Sequence, residues 1–148
     1  MARNVRLFRC PPEAVFAVLS DAWLYPSWVV GASRMREVSG AWPAVGSELH
    51  HSFGVWPVLI DDRTHVEEWD PPHRMTLLAR GWPMGEARVT IEAKPRRGGC
   101  VVRICENAVA GPGVWADALV DPLLRWRNKE TLHRLALLAE GGARPAAA

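Results

Sequence analysis

Hydrophobic positions repeat with two different periods along this chain. Between Ser33 and Ala108 they alternate with polar ones, and between Pro122 and Glu140 they recur every third or fourth residue. The first pattern predicts consecutive strands, the second a long helix. Gly40 to Pro43, Gly54 to Pro57, Asp70-Pro71-Pro72, Gly81 to Gly85 and Pro95 to Gly99 punctuate the strands, so the stretch reads as an antiparallel meander. A strand from about Arg3 to Arg9 precedes it. Pro11-Pro12-Glu13 then suits a helix start, with Glu13 to Ser20 helical and a second short piece from Ala22 to Trp28 limited by Pro26. Asp121-Pro122 reads as the N-cap and first position of the closing helix, or as a kink in one beginning near Val114. On that helix Leu124, Asn128, Thr131, Leu135 and Leu138 share one face, with Arg125, Lys129 and Arg134 outside.

The result is an α+β domain, a curved antiparallel sheet around one long helix. Alternation assigns its covered face. Leu49, His51 and Phe53 point inward, as do Val58, Ile60, Asp62, Thr64 and Val66 on the next strand. Met75, Leu77 and Ala79 follow, then Ala87, Val89, Ile91 and Ala93, then Val102, Ile104 and Glu106. Closing each hairpin at its turn pairs Leu49 with Asp62, Asp62 with Ala79, Ala79 with Ala87, and Ala87 with Glu106. Asp62 and Glu106 then end one cross-strand row, roughly 14 Å apart over three strand spacings. Two alanines between them leave space that a packed core would fill with Leu or Phe.

Inward acids need a reason, because an unpaired buried carboxylate costs several kcal/mol or takes up a proton. A ligand-accessible cavity is one reason. A strand-end position for Glu106, or a bulge turning Asp62 outward, is another. On the cavity reading His51, Asp62 and Glu106 are the candidates for chemistry. Trp28, Phe53, Ile60, Thr64 and Ala79 are candidate ligand contacts, together with Ala87, Ile104, Trp115, Leu124 and Asn128.

Composition narrows the function. Lys+Arg 18 against Asp+Glu 16 leaves a net charge of +2, too weak to indicate nucleic acid. The 148 residues suffice for one domain, here residues 1–140, with a low-complexity tail from Gly141 expected to be disordered. No signal peptide or membrane span is visible, which implies a cytoplasmic protein. Cys10, Cys100 and Cys105 form no metal spacing and read as small hydrophobes. GxSxG, HExxH and Walker patterns are missing, and His50-His51 point to opposite faces of a strand, so neither a metal nor a cofactor is implied. Eight of twelve aromatic residues are Trp. Trp28, Trp56, Trp82 and Trp115 fall at loops or element ends, where they would line a cavity mouth.

The segments CPPEAVFAVLSD (Cys10–Asp21), WLYPSWV (Trp23–Val29), VEEWDPPHRMTL (Val66–Leu77) and RNKETLHRLALLAE (Arg127–Glu140) resemble the SRPBCC superfamily. That superfamily includes START-like lipid binders and polyketide cyclase/dehydrase-like proteins. The resemblance spans about residues 3 to 140 and implies the helix-grip fold, with an apolar cavity between sheet and C-terminal helix. Some relatives carry lipids, sterols or plant metabolites. Others fold a nascent polyketide and assist aldol cyclisation and dehydration, without a universal catalytic motif. Two functions follow. One is a carrier or binding protein for a hydrophobic small molecule, monomeric or homodimeric. The alternative is a polyketide cyclase/dehydratase in which His51 shuttles a proton and Asp62 or Glu106 orients it or acts as acid/base. A protein-partner role ranks last.

Overall fold

The computed structural model describes residues 1–81, 85–114 and 117–143. Strand β1 (Ala2–Phe8) leads into α1 (Pro12–Ser20), a 3-10 turn (Ala22–Leu24) and α2 (Tyr25–Trp28). Six strands follow: β2 (Ala32–Ser39), β3 (Glu48–Val55), β4 (Val58–Asp70), β5 (Arg74–Gly81), β6 (Gly85–Arg96) and β7 (Gly99–Ala110). After a 3-10 turn (Pro112–Val114), α3 (Asp117–Gly142) closes the chain. All seven strands form one antiparallel sheet in the order β1-β7-β6-β5-β4-β3-β2. Strands β2 to β7 are hairpin neighbours, as the turn clusters require. The connection through α1 and α2 alone carries the chain from one sheet edge to the other. With α3 packed against β1, α1 and α2, this is the helix-grip fold.

The inner face is the one that alternation assigns. Leu49, Val66, Met75, Leu77, Ile91, Val102 and Ile104 are buried on the sheet, against Leu132, Leu135, Ala136 and Ala139 of α3. Ala136 and Ala139 bring no bulk, so the helix axis can lie close to the strands. Outward residues pair instead: Arg74 and Arg103 both bond Glu92, and Arg88 bonds Glu67. Cys10 and Cys100 are free and buried, and burial pushes the Cys100 thiol up to about 12. They behave as the small hydrophobes expected.

Several expectations need correction. The register slips by one residue pair at three hairpins, and only the β5–β6 pairing is as expected. Leu49 faces Thr64, Thr64 faces Ala79, Ala79 faces Ala87 and Ala87 faces Ala108. Asp62 faces His51, and Glu106 faces Val89 and Ala2. Asp62 and Glu106 therefore do not share a row; Thr64 heads the row that runs through the two alanines. The β3–β4 turn is tighter than its Gly54-to-Pro57 cluster suggests, because Val55 already pairs with Val58. The β6–β7 turn closes where Arg96 pairs with Gly99, and the β4–β5 turn where Asp70 pairs with Arg74; each sets its strands one pair away from the expected register. Parity survives all three slips, so inward and outward faces stay as assigned except at Val58, which was expected inward and is exposed where it pairs with Val55 at the turn.

A second bulge, between Val66 and Glu68, turns Glu67 and Glu68 outward together and brings Trp69 against Phe16, ring centroids 5.3 Å apart. Trp69 thus lies at the α1 end of β4, where Trp42 donates its Nε1–H to the Leu19 carbonyl. Trp56 lies beyond the opposite end of β4 and is exposed. The tryptophans are split between both ends of the sheet instead of gathering at one mouth; Trp82 and Trp115 lie outside the described residues. Pro26 sits in the first turn of α2 and does not limit it, since that position needs no N–H. Asp121 is not an N-cap either. The helix begins four residues earlier, passes through Pro122, and Asp121 accepts from Arg125 along its side. Its far end reaches Gly142, two residues beyond the expected domain limit at Glu140.

Candidate functional site

Seven polar side chains are buried between the sheet and the helices, in two groups. Strands β3 and β4 contribute His51, Asp62 and Thr64, β7 contributes Glu106, α3 contributes Asn128 and Thr131, and α2 contributes Tyr25; all are buried. Each sheet residue is inward by parity, and Asn128 and Thr131 lie one turn apart on the covered face of α3. Thr131 accepts from the Val30 backbone N–H at 3.3 Å, which ties the chain after α2 to the helix.

One half of this strip centres on Thr64. Its Oγ1 lies 3.0 Å from His51 Nε2 and 3.2 Å from the Tyr25 hydroxyl. The Tyr25 ring stands 5.1 Å from the imidazole and 5.3 Å from Trp28, the latter edge-on. Asp62 lies directly across from His51 and accepts from the Arg63 backbone N–H at 2.7 Å. The Arg36 guanidinium reaches the carbonyls of both His51 and Asp62, at 3.3 and 3.2 Å. Beside Asp62 a cleft of about 560 Å³ opens, lined also by Ile60, His50, Arg63, Arg80 and Glu86.

The other half centres on Glu106, whose Oε2 accepts from Asn128 Nδ2 at 3.1 Å and pairs with the Arg127 guanidinium. Three strand spacings separate β4 from β7, roughly 14 Å. Tyr25 sits between the halves. Burial pushes its phenol up to about 12, and the charges of Arg127, Glu106 and Asp62 all reach it. The phenol therefore keeps its proton at any physiological pH.

Among the candidate contacts, Ile104 is buried alongside Thr64 and Asn128, while Phe53, Ile60, Ala79, Ala87 and Leu124 are half-buried. Phe53 packs against Gly31, where an added Cβ would come within 2.3 Å of the ring; with φ +100 at that position, only glycine fits. Trp28 is buried, and Trp115 lies outside the described residues. Sequence reasoning missed Tyr25, Arg127 and Arg36. Tyr25 and Trp28 stand three apart on a short helix, so they share a face, and that spacing was the available signal. Helical spacing puts Arg127 in neither the inward set nor the outward set of Arg125, Lys129 and Arg134. Among the described residues no metal-ligating group of three comes together, and no helix is long and apolar enough to cross a membrane.

Burial lowers the His51 pKa from its usual 6.5, with Arg36 and His50 adding to the effect and Asp62 opposing it. Below 6.5 the unfolded chain binds a proton that folded His51 refuses. Stability contributed by this group is complete above 6.5 and declines as pH falls toward the folded value. Thermal melts of the wild type between pH 7.5 and 5.5 will show a falling Tm. His51→Gln, which keeps a hydrogen-bonding group toward Thr64, will flatten that slope; an unchanged slope would assign it to another group.

Comparison with known proteins places this arrangement in context. Protein CV1439 of Chromobacterium violaceum superposes with a TM-score of 0.70 at 20% identity, over 93% of this chain and 96% of that one. The di-domain ARO/CYC StfQ from the steffimycin biosynthetic pathway superposes with a TM-score of 0.74 at 11% identity, over 94% of this chain and 50% of that one. DynU16, from the dynemicin biosynthetic locus, gives 0.70 at 17% identity, over 96% of this chain and 48% of that one. At such identities the likeness is one of fold. No curated protein matches the chain in sequence. The family described as polyketide cyclase / dehydrase and lipid transport matches residues 2–140. Strand order, gripping helix and sequence match agree, and the chain belongs to the polyketide cyclase/dehydrase and lipid transport family.

Proposed function

We propose that this protein binds a hydrophobic small molecule between the sheet and α3, with the polar strip reading the ligand's functional groups. The observation that carries the proposal is the strip itself: His51, Asp62, Thr64, Glu106 and Asn128 are all buried, and each sheet residue among them is on the covered face. Polar groups inside an apolar shell are expensive unless they are used. The family description, which names lipid transport beside cyclase activity, supports the same reading. StfQ, an ARO/CYC from a biosynthetic pathway, shares the fold.

A cyclase or dehydratase is the second reading, and one observation favours it. His51 is held neutral opposite a carboxylate, the state a general acid/base needs near neutral pH. Of the two candidate acids, Glu106 is engaged by Arg127 and Asn128, so Asp62 is the partner for His51.

Filling the small-residue row tests the binding reading. Native mass spectrometry of the purified protein is expected to reveal a bound small molecule. Ala87→Phe, placed in the row between Ala79 and Ala108, should remove it and weaken rebinding of the extracted compound at least tenfold with the fold intact. A wild type that carries nothing and gains no thermal stability from any apolar compound would overturn the reading. Turnover of such a compound, lost in His51→Ala, would establish the enzyme.

A further inference from the structure

Two free cysteines meet where β1 ends. Phe8, the last residue of β1, pairs with Cys100 near the start of β7, and Cys10 follows two residues later. Gly99 lets the two segments come close, because a Cβ there would run into the Phe8 carbonyl and crowd the Arg9 Cα. Cys10 and Cys100 are both buried in the main hydrophobic cluster, and their thiols hydrogen-bond to each other. Thiols already in contact need only a short closing movement to reach disulfide bonding distance.

The pair is open from one side. Cys10 lines a cleft of about 500 Å³ together with Arg9, Glu13, His73 and Arg96, whereas Cys100 is not among its walls. At 2% exposure Cys10 admits only a small reagent. The two protons are also held unequally. Burial raises both thiols, Cys100 up to about 12. Glu140, which accepts from the Arg9 N–H at 2.8 Å, adds its charge to that effect. The hydrogen bond between the thiols works in opposite directions, lowering Cys10 and raising Cys100. Cys10 therefore ionises first, with the Cys100 S–H donating to its thiolate.

We propose that Cys10 and Cys100 form an oxidation site, at which Cys10 attacks hydrogen peroxide that enters the cleft and Cys100 closes an intramolecular disulfide. In the first step the Cys10 thiolate attacks one peroxide oxygen and the O–O bond breaks. Cys10 becomes a sulfenic acid, and the departing hydroxide takes up the proton that Cys10 released. In the second step the Cys100 sulfur attacks the Cys10 sulfur, the S–O bond breaks, and water leaves with the Cys100 proton. Both sulfurs are oxidised and the peroxide is reduced, giving one disulfide and two waters. Scarce thiolate makes the reaction slow, so the site answers sustained peroxide and is no peroxidase. Reduced, the same side chains fill the core as small hydrophobes. Oxidised, they tie the end of β1 to β7 around a loop holding α1, α2 and strands β2 to β6. The strand latched is the one whose sole neighbour in the sheet is β7. None of this depends on a ligand between sheet and helix.

Peroxide treatment of the full chain, followed by alkylation and peptide mapping by mass spectrometry, tests the site. The expected product is a crosslink between the Cys10 and Cys100 peptides, two hydrogens lighter than the reduced pair. Cys105, on the opposite face of β7 from Cys100, should remain a thiol and be alkylated. The Tm without reductant should rise by about 10 °C, and dithiothreitol should return it. In Cys100→Ala the sulfenic acid at Cys10 should persist and be trapped by dimedone. In Cys10→Ala the same exposure should leave Cys100 unlabelled. A wild type that stays reduced at both positions overturns the proposal, as does a crosslink that includes Cys105 or a Cys10 sulfinic acid beside a free Cys100. A crosslink that leaves the Tm unchanged overturns the latch, and equal dimedone labelling in the two variants overturns Cys10 as the attacking sulfur.

Discussion

Arg127→Met will destabilise the protein by about 2 to 3 kcal/mol, a fall of about 8 °C in Tm for a domain of this size. The reason lies in where the partner sits. Glu106 is 4% exposed, faces Val89 and Ala2 in the sheet, and among the described residues accepts from Arg127 and Asn128. Removing the guanidinium leaves a buried carboxylate with one neutral amide for company. The cost falls below the range of about 3 to 5 kcal/mol for broken buried pairs because the Arg127 side chain is itself 26% exposed. Adding Glu106→Gln to Arg127→Met removes the stranded charge and keeps an acceptor for Asn128, so the double variant should regain more than half of the loss. Chemical denaturation of the three variants measures this. A cost below about 0.5 kcal/mol for Arg127→Met would put the pair among solvated surface bridges and remove Glu106 from the interior strip.

Leu135→Ala is expected to cost about 3 to 4 kcal/mol, the larger of the two effects. Leu135 is fully buried, between Ala136 and Leu132 on the covered side of α3. Its side chain joins the helix to the main hydrophobic cluster, so its removal opens a void where the grip is made. Leu137→Ala, two residues on, is the control. That side chain is 59% exposed, and the same deletion should stay within about 0.5 kcal/mol. A small difference between the two variants would mean that α3 is held by its ends and not by this face.

The fold was legible because it depends on parity and period. Which face of β4 holds Asp62 and Thr64 follows from alternation alone, and a one-pair error in register does not disturb it. Register itself was not legible. Gly54 to Pro57, Asp70-Pro71-Pro72 and Pro95 to Gly99 each mark a turn but not which residues close it. The β4–β5 slip exchanged Thr64 for Asp62 in the alanine row, and so hid the hydroxyl that joins Tyr25 to His51. The candidate acids and His51 could be named because a polar residue at an inward position stands out against apolar neighbours. Arg127 could not, because a long side chain one step off the covered face can still reach inward, which helical spacing alone does not reveal. Tyr25 lies on a helix of one turn, where its spacing of three from Trp28 is all the periodicity there is.

The path of the chain across the sheet also orders events during synthesis. Strand β1 emerges first but pairs only with β7, where Ala2 meets Glu106. Every strand from β2 to β7 can zip to its neighbour as it leaves the ribosome, whereas β1 must wait through nearly the whole chain for its partner. Its closure is a long-range event with a high entropic cost. Until then residues Ala2 to Phe8 are an unpaired edge, open to another nascent chain. Glu106 and Ala2 become neighbours only at that last step, so the Glu106 half of the interior is completed late, when the N-terminal strand and α3 have both docked.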